Sequence, residues 1–144
     1  MTALAVMLGV AAGVSGFTFY YGQGHSYMVD DPAACKNCHI MREHYDAWAR
    51  TSHHTSATCN DCHTPKDLVG KYTVKAVNGY NHSVAFTSGA FREPLIIKGF
   101  NKKIVQNNCI RCHQDQVSRM GSNAKNDNAD CLHCHSHVGH HRRK

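Results

Sequence analysis

Four stretches of the chain share one spacing: Cys35-Lys36-Asn37-Cys38-His39, Cys59-Asn60-Asp61-Cys62-His63, Cys109-Ile110-Arg111-Cys112-His113 and Cys131-Leu132-His133-Cys134-His135. Each is a Cys-x-x-Cys-His run, and together the four consume all eight cysteines. Two thiols three residues apart can both form thioether bonds to one haem, and the His that follows can ligate its iron. On a helix, positions i, i+3 and i+4 share a face, so one short helix can hold a porphyrin edge and reach its metal. The first run carries Met41 two residues beyond His39, which gives that haem two candidate ligands.

Eight cysteines in a short chain also fit a disulfide framework, or two zinc sites built from paired Cys-x-x-Cys runs. Neither explains why a His follows every pair. Thirteen of the 144 residues are His, so four such placements by chance would occur about once in 10,000. Covalent haem is the reading that uses every residue of the pattern.

A length of 144 residues with four motifs leaves 36 residues of chain per haem. That is too little for an ordinary apolar core, so the haems themselves must be the core, with side chains packed on their faces. The formal charge of +6 does not point to nucleic acid. Haems carry two propionates each, and about eight such charges roughly offset the excess. The basic residues are scattered apart from Arg142-Arg143-Lys144, which reads as a solvated terminus.

Positioning these motifs falls to the rest of the chain. Residues 1–29 contain no Asp, Glu, Lys or Arg, and Thr2 to Tyr21 are mostly apolar. Twenty helical residues span about 30 Å, one hydrocarbon thickness. Phe17, Phe19, Tyr20 and Tyr21 cluster where an interfacial belt would lie, and Gly9 and Gly13 form a small-xxx-small pair. A cleaved signal peptide should begin with positive charge and end at a small-residue site, but Met1-Thr2-Ala3 carries no positive side chain and the apolar run is long for a signal core. Residues 1–24 therefore read as a retained transmembrane anchor and residues 25–144 as a tetrahaem domain. C-type haems are assembled outside the bacterial inner membrane, so the expected arrangement is a single pass with the haem domain in the periplasm.

Beyond a linker from Gly22 to Pro32, a short helix is expected from Glu43 to Arg50, and another from Asp67 to Val77 that ends at Gly79. Tyr80 to Lys98 reads as loop with short turns. A helix from Lys102 or Lys103 leads into the third motif, and another starts near Gln114 ahead of a polar loop, Gly121 to Asp130. No alternating strand pattern appears, so the class is mostly α with much irregular chain.

Four haems need up to eight axial ligands, and the motif histidines supply four. Nine histidines remain: His25, His44, His53, His54, His82, His133, His137, His140 and His141.

The single N-terminal anchor, the four motif spacings, the Cys-x-x-Cys-His-x-Met of the first and the Cys-Asn-Asp-Cys-His of the second resemble the NapC/NirT family of membrane-anchored multihaem cytochromes c. The likeness covers essentially the whole chain and is strongest to the small membrane subunits of cytochrome c nitrite reductase. It implies four covalently bound haem c groups, oxidation of menaquinol, and delivery of electrons to a periplasmic pentahaem nitrite reductase catalytic subunit in a hetero-oligomer. It implies Met41 as the first haem's ligand with His39 displaced, and His63, His113 and His135 as ligands of the others. His54 matches a distal ligand for the fourth haem, with His53 as its neighbour. His140 matches one for the third, with His137 and His141 as rivals. The second haem has no distal ligand of its own in the family, and a partner's side chain can supply one. The family's quinol site pairs a Lys with an acidic group seven residues later. Lys75 fits the first position. The second is His82, a departure, which can accept a quinol proton or else bind the first haem. Three other expectations compete: the same quinol dehydrogenase feeding a nitrate or similar reductase, a passive electron-transfer cytochrome, and nitrite reduction on one of these haems.

Overall fold

The computed structural model describes residues 1–120 and 130–140. Among the described residues eight helices follow in order: α1 (Thr2–Tyr21), α2 (Pro32–Cys35), α3 (Arg42–Trp48), α4 (Cys59–His63), α5 (Leu68–Ser88), α6 (Gly99–Cys112), α7 (Gln114–Arg119) and α8 (Cys131–Cys134). Short 3₁₀ turns occupy Gly24–Tyr27, His39–Met41 and Ser52–Thr55. There is no strand among the described residues, as the absence of alternation predicts.

Every residue of α1 is exposed, and the helix is long and apolar enough to cross a membrane. An apolar helix with no buried face has found its solvent in something other than water or the protein interior.

The helix bounds follow local chemistry. The Asp61 carboxylate accepts from the backbone N–H and the hydroxyl of Thr58, both at 2.8 Å, which ties off the start of α4. Asp67 caps α5 by accepting the Gly70 N–H at 2.6 Å. A Cβ on Gly70 would come within 2.7 Å of that carboxylate, so a side chain there would displace the cap from this position. Helix α5 runs through Gly79, where the sequence signal placed its end, and stops at Gly89, whose φ of 68° is the left-handed C-cap. Gly79 serves packing instead: a Cβ built there lies 3.6 Å from the Tyr27 ring. Tyr80 to Ser88, expected as loop, therefore continue the helix. The helix before the third motif starts at Gly99, three residues ahead of the earliest expected start, and the helix after Met41 is Arg42–Trp48. The expected polar loop from Gly121 lies mostly outside the described residues.

The four motifs sit on a chain of contacts, α2 with α4, α4 with α6, and α6 with α8. Polar groups make these joints. The Asn108 amide donates to the carbonyls of Cys62 and Thr64, both at 2.9 Å. Gln106 accepts the Cys131 N–H at 3.0 Å. Among the described residues only Ala47, Val74 and Val105 are buried hydrophobics, and no large side chain is fully buried.

Asn108 is itself buried, so truncating it strands two carbonyls between the second and third motifs. Asn108→Ala is expected to cost about 1–3 kcal/mol. Thermal unfolding of the holoprotein followed by circular dichroism should show a lower Tm, and an unchanged Tm would contradict this joint.

Candidate haem and quinol site

The four motifs do not fold alike. The second fits the expected geometry, with Cys59, Cys62 and His63 all within α4. In the third and fourth, the helix carries both cysteines and the His caps its C-terminus. The first breaks between its cysteines. Helix α2 ends at Cys35, Cys38 is extended at φ −79°, ψ 119°, and His39–Met41 form a separate turn. His39 thus leaves the face that i+4 periodicity would give it and is exposed, whereas Met41 is half-buried.

None of the eight cysteines pairs in a disulfide, and no group of three or more His, Cys, Asp or Glu gathers among the described residues as a zinc site requires. The cysteines of successive motifs do approach one another. A hydrogen bond from the Cys59 thiol draws Cys35 down to about 7. That same contact, followed by burial, pushes Cys59 up. Burial, then the neighbouring Cys131 and Cys62, pushes Cys109 up to about 11. These shifts belong to free thiols and vanish in thioethers, but the adjacency they report places four attachment points in sequence order.

Haem suits this donor set. The buried Nδ1 atoms of His53 and His140 have no hydrogen-bond partner. Burial, followed by the charge of His44, lowers the pKa of His63. Burial, then His44 and His63, lowers His140 to about 4. Both imidazoles are therefore neutral at pH 7, the form that ligates a metal. The His63 and His140 rings lie 6.1 Å apart and nearly parallel, and His53 lies edge-on to His113 at 6.1 Å. Imidazoles at such a separation would leave room for a metal held between them. The resemblance instead pairs His140 with His113 and His54 with His135; His54 packs edge-on against Trp48 at 4.8 Å. His137 lies in the same closing segment, and His141 falls outside the described residues.

Lys75 and His82 stand two turns apart on α5, and both reach the segment that leaves the apolar helix. The buried Lys75 Nζ donates to the Val29 carbonyl at 2.7 Å and to Asp30 at 2.9 Å. Asp30 also binds Lys71 and accepts the Asn60 amide at 2.8 Å. The two lysines, Lys71 foremost, hold the Asp30 carboxyl at about 2. Further along, His82 Nδ1 and the Tyr27 hydroxyl are 2.8 Å apart. Burial, then Lys98, lowers the His82 pKa. Burial, then Cys38 and Cys35, raises that of Tyr27, which puts this pair beside the first haem motif. The resemblance pointed to Lys75 and His82, and sequence reasoning did not name Asp30, Lys71 or Tyr27 as their partners. Asp30 had a signal, being the first charge after 29 uncharged residues.

The NapC/NirT cytochrome c family, N-terminal region, matches residues 1–144. The chain belongs to this family. Membership brings covalent haem c, and with the apolar α1 it makes the chain a single-pass membrane protein. Among its relatives, cytochrome c-type protein NrfH of Wolinella succinogenes is 36% identical over 94% of this chain and 82% of its own length. Cytochrome c nitrite reductase subunit NrfH of Nitratidesulfovibrio vulgaris is 32% identical over 80% of this chain and 70% of its own. The crystal structure of the cytochrome c nitrite reductase NrfHA complex bound to the HQNO inhibitor superposes with a TM-score of 0.68 at 28% identity, covering 97% of this chain and 92% of the other.

The Asp30 contacts give a pH signature. Its folded pKa lies below the unfolded value near 3.9, so its contribution is present above about pH 4 and lost as pH falls through about 2. The Tm difference between wild type and Asp30→Asn should be constant at neutral pH and close on acidification through that window. A difference independent of pH would contradict the assignment.

Proposed function

We propose that this chain is a membrane-anchored tetrahaem cytochrome c that oxidises menaquinol and passes the electrons to a periplasmic pentahaem nitrite reductase catalytic subunit. The carrying observation is the pair of polar clamps, Lys75–Asp30 and His82–Tyr27, set beside the first haem motif where the apolar helix ends. A lipid-borne quinol reaches a protein at that level. The relatives named for cytochrome c nitrite reductase and its NrfHA complex support the partner. On this reading residues 1–24 anchor the protein in the inner membrane, and residues 25–144 face the periplasm.

Oxidation of a quinol releases two electrons and two protons. The haems, when bound, supply one-electron acceptance. The side chains handle binding and protons. An ammonium has three donors, and Lys75 commits two to Val29 and Asp30, which leaves one for a quinol oxygen. Asp30, at about 2, is too weak a base to retain a quinol proton and serves to hold the Lys75 ammonium in place. His82 is neutral at pH 7 and is the better acceptor. This divides the work between the two positions, where the resemblance implied an acidic group as the second.

Met41 is the proposed ligand of the first haem, supported by the broken helix that carries His39 away. His63, His113 and His135 ligate the others. For the opposite positions the chain offers His140 and His54, and beside it His53, whose ring lies edge-on to His113.

Lys75→Leu is expected to slow haem reduction by a menaquinol analogue about 100-fold or more, with haem content unchanged by denaturing haem stain. A variant reduced at the wild-type rate would leave a passive electron carrier as the better description.

A further inference from the structure

We propose that the Tyr27 hydroxyl is a positioning group for His82, fixing which ring nitrogen faces the quinol and giving its proton a way out to water. This rests on the quinol-oxidising reading above and adds a residue to it.

The contact joins residues 55 positions apart and uses Nδ1 of His82. A neutral imidazole has one protonated nitrogen and one bare nitrogen, and the hydrogen bond at one sets the state of the other. When Nδ1–H donates to the Tyr27 oxygen, Nε2 is left bare and can accept a proton from a quinol hydroxyl. Tyrosine suits this because its oxygen both accepts and donates. Once Nε2 takes the quinol proton, the Nδ1 proton can pass to the Tyr27 oxygen as the Tyr27 O–H proton passes to water. His82 then holds a proton on Nε2 alone, and exchange of the two tautomers restores the accepting form. One proton enters and one leaves. The electrons go separately to the c-type haem iron, which is the oxidant.

Three features hold Tyr27 in this place. It closes the turn Gly24–Tyr27 that follows the apolar helix. Its ring lies against Gly79 one turn before His82, where a Cβ would stand 3.6 Å away. Its neighbour Ser26 accepts from Asn37, inside the first haem motif, at 2.9 Å. The residue is also 37% exposed, and its contact with His82 is not sealed inside the protein.

Tyr27→Phe removes the hydroxyl and keeps the ring on Gly79. The test uses the four-haem holoprotein in detergent, reduced by a menaquinol analogue, with haem content and low-spin haem absorption checked in each variant. The expected result is a tenfold or greater fall in kcat with KM within twofold of wild type, and unchanged haem spectra. His82→Asn should do the same, and the double variant should be no slower than His82→Asn alone, because both lesions act through one group. A Tyr27→Phe protein with wild-type kcat, a rise in KM alone, or losses that multiply in the double variant would each overturn the proposal. An altered first-haem spectrum in Tyr27→Phe would overturn it too, since Tyr27 would then be supporting an iron ligand. The two readings fail separately. If Lys75→Leu abolishes reduction while Tyr27→Phe does not, only this inference falls; if wild type is not reduced by quinol, both fall.

Discussion

The constraint on which this structure depends is the shortage of apolar interior. Three small or medium hydrophobic side chains are buried among the described residues, and none is large. A soluble domain of this size normally buries about two thirds of the surface its unfolded chain exposes, mostly through such residues. Here the motif helices are four to fourteen residues long, too short to be stable alone. They are held by side chain to backbone hydrogen bonds, from Asn108, Arg111 and Gln106, that fix one motif to the next. Family membership brings covalent haem c, and on the proposed reading one in each motif supplies the missing apolar surface.

The same economy shapes the site at the membrane. Helix α5 has no partner of matching length in the domain, and it docks on the segment leaving α1 through Lys75 and His82. Anchoring the helix and building the site are one set of contacts. Asp30 shows this most directly: it binds two lysines of α5 and Asn60 of the second motif at once. Loss of that carboxylate touches anchor, proposed quinol site and second motif together.

Much of this was legible in the sequence because it is local. The four motifs declare themselves by spacing, and the anchor by 29 residues without charge. What was not legible depends on partners distant in the chain. Gly79 carries the same signal as a helix terminator and is in fact a seat for the Tyr27 ring. Tyr27 and Asp30 look like ordinary linker residues until α5 brings His82 and Lys75 to them across 55 and 45 positions. The first motif has the same Cys-x-x-Cys-His spacing as the second, yet only the second is one continuous helix. The difference arises at Cys38, whose extended backbone no rule of spacing predicts.

The account turns on haem replacing a protein core four times in one short chain. The direct measurement is the intact mass of the detergent-extracted protein under denaturing conditions, where only covalent groups remain. The expected mass is that of the chain plus four haems. A mass showing fewer, or a bare chain that is nonetheless folded by circular dichroism, would contradict it.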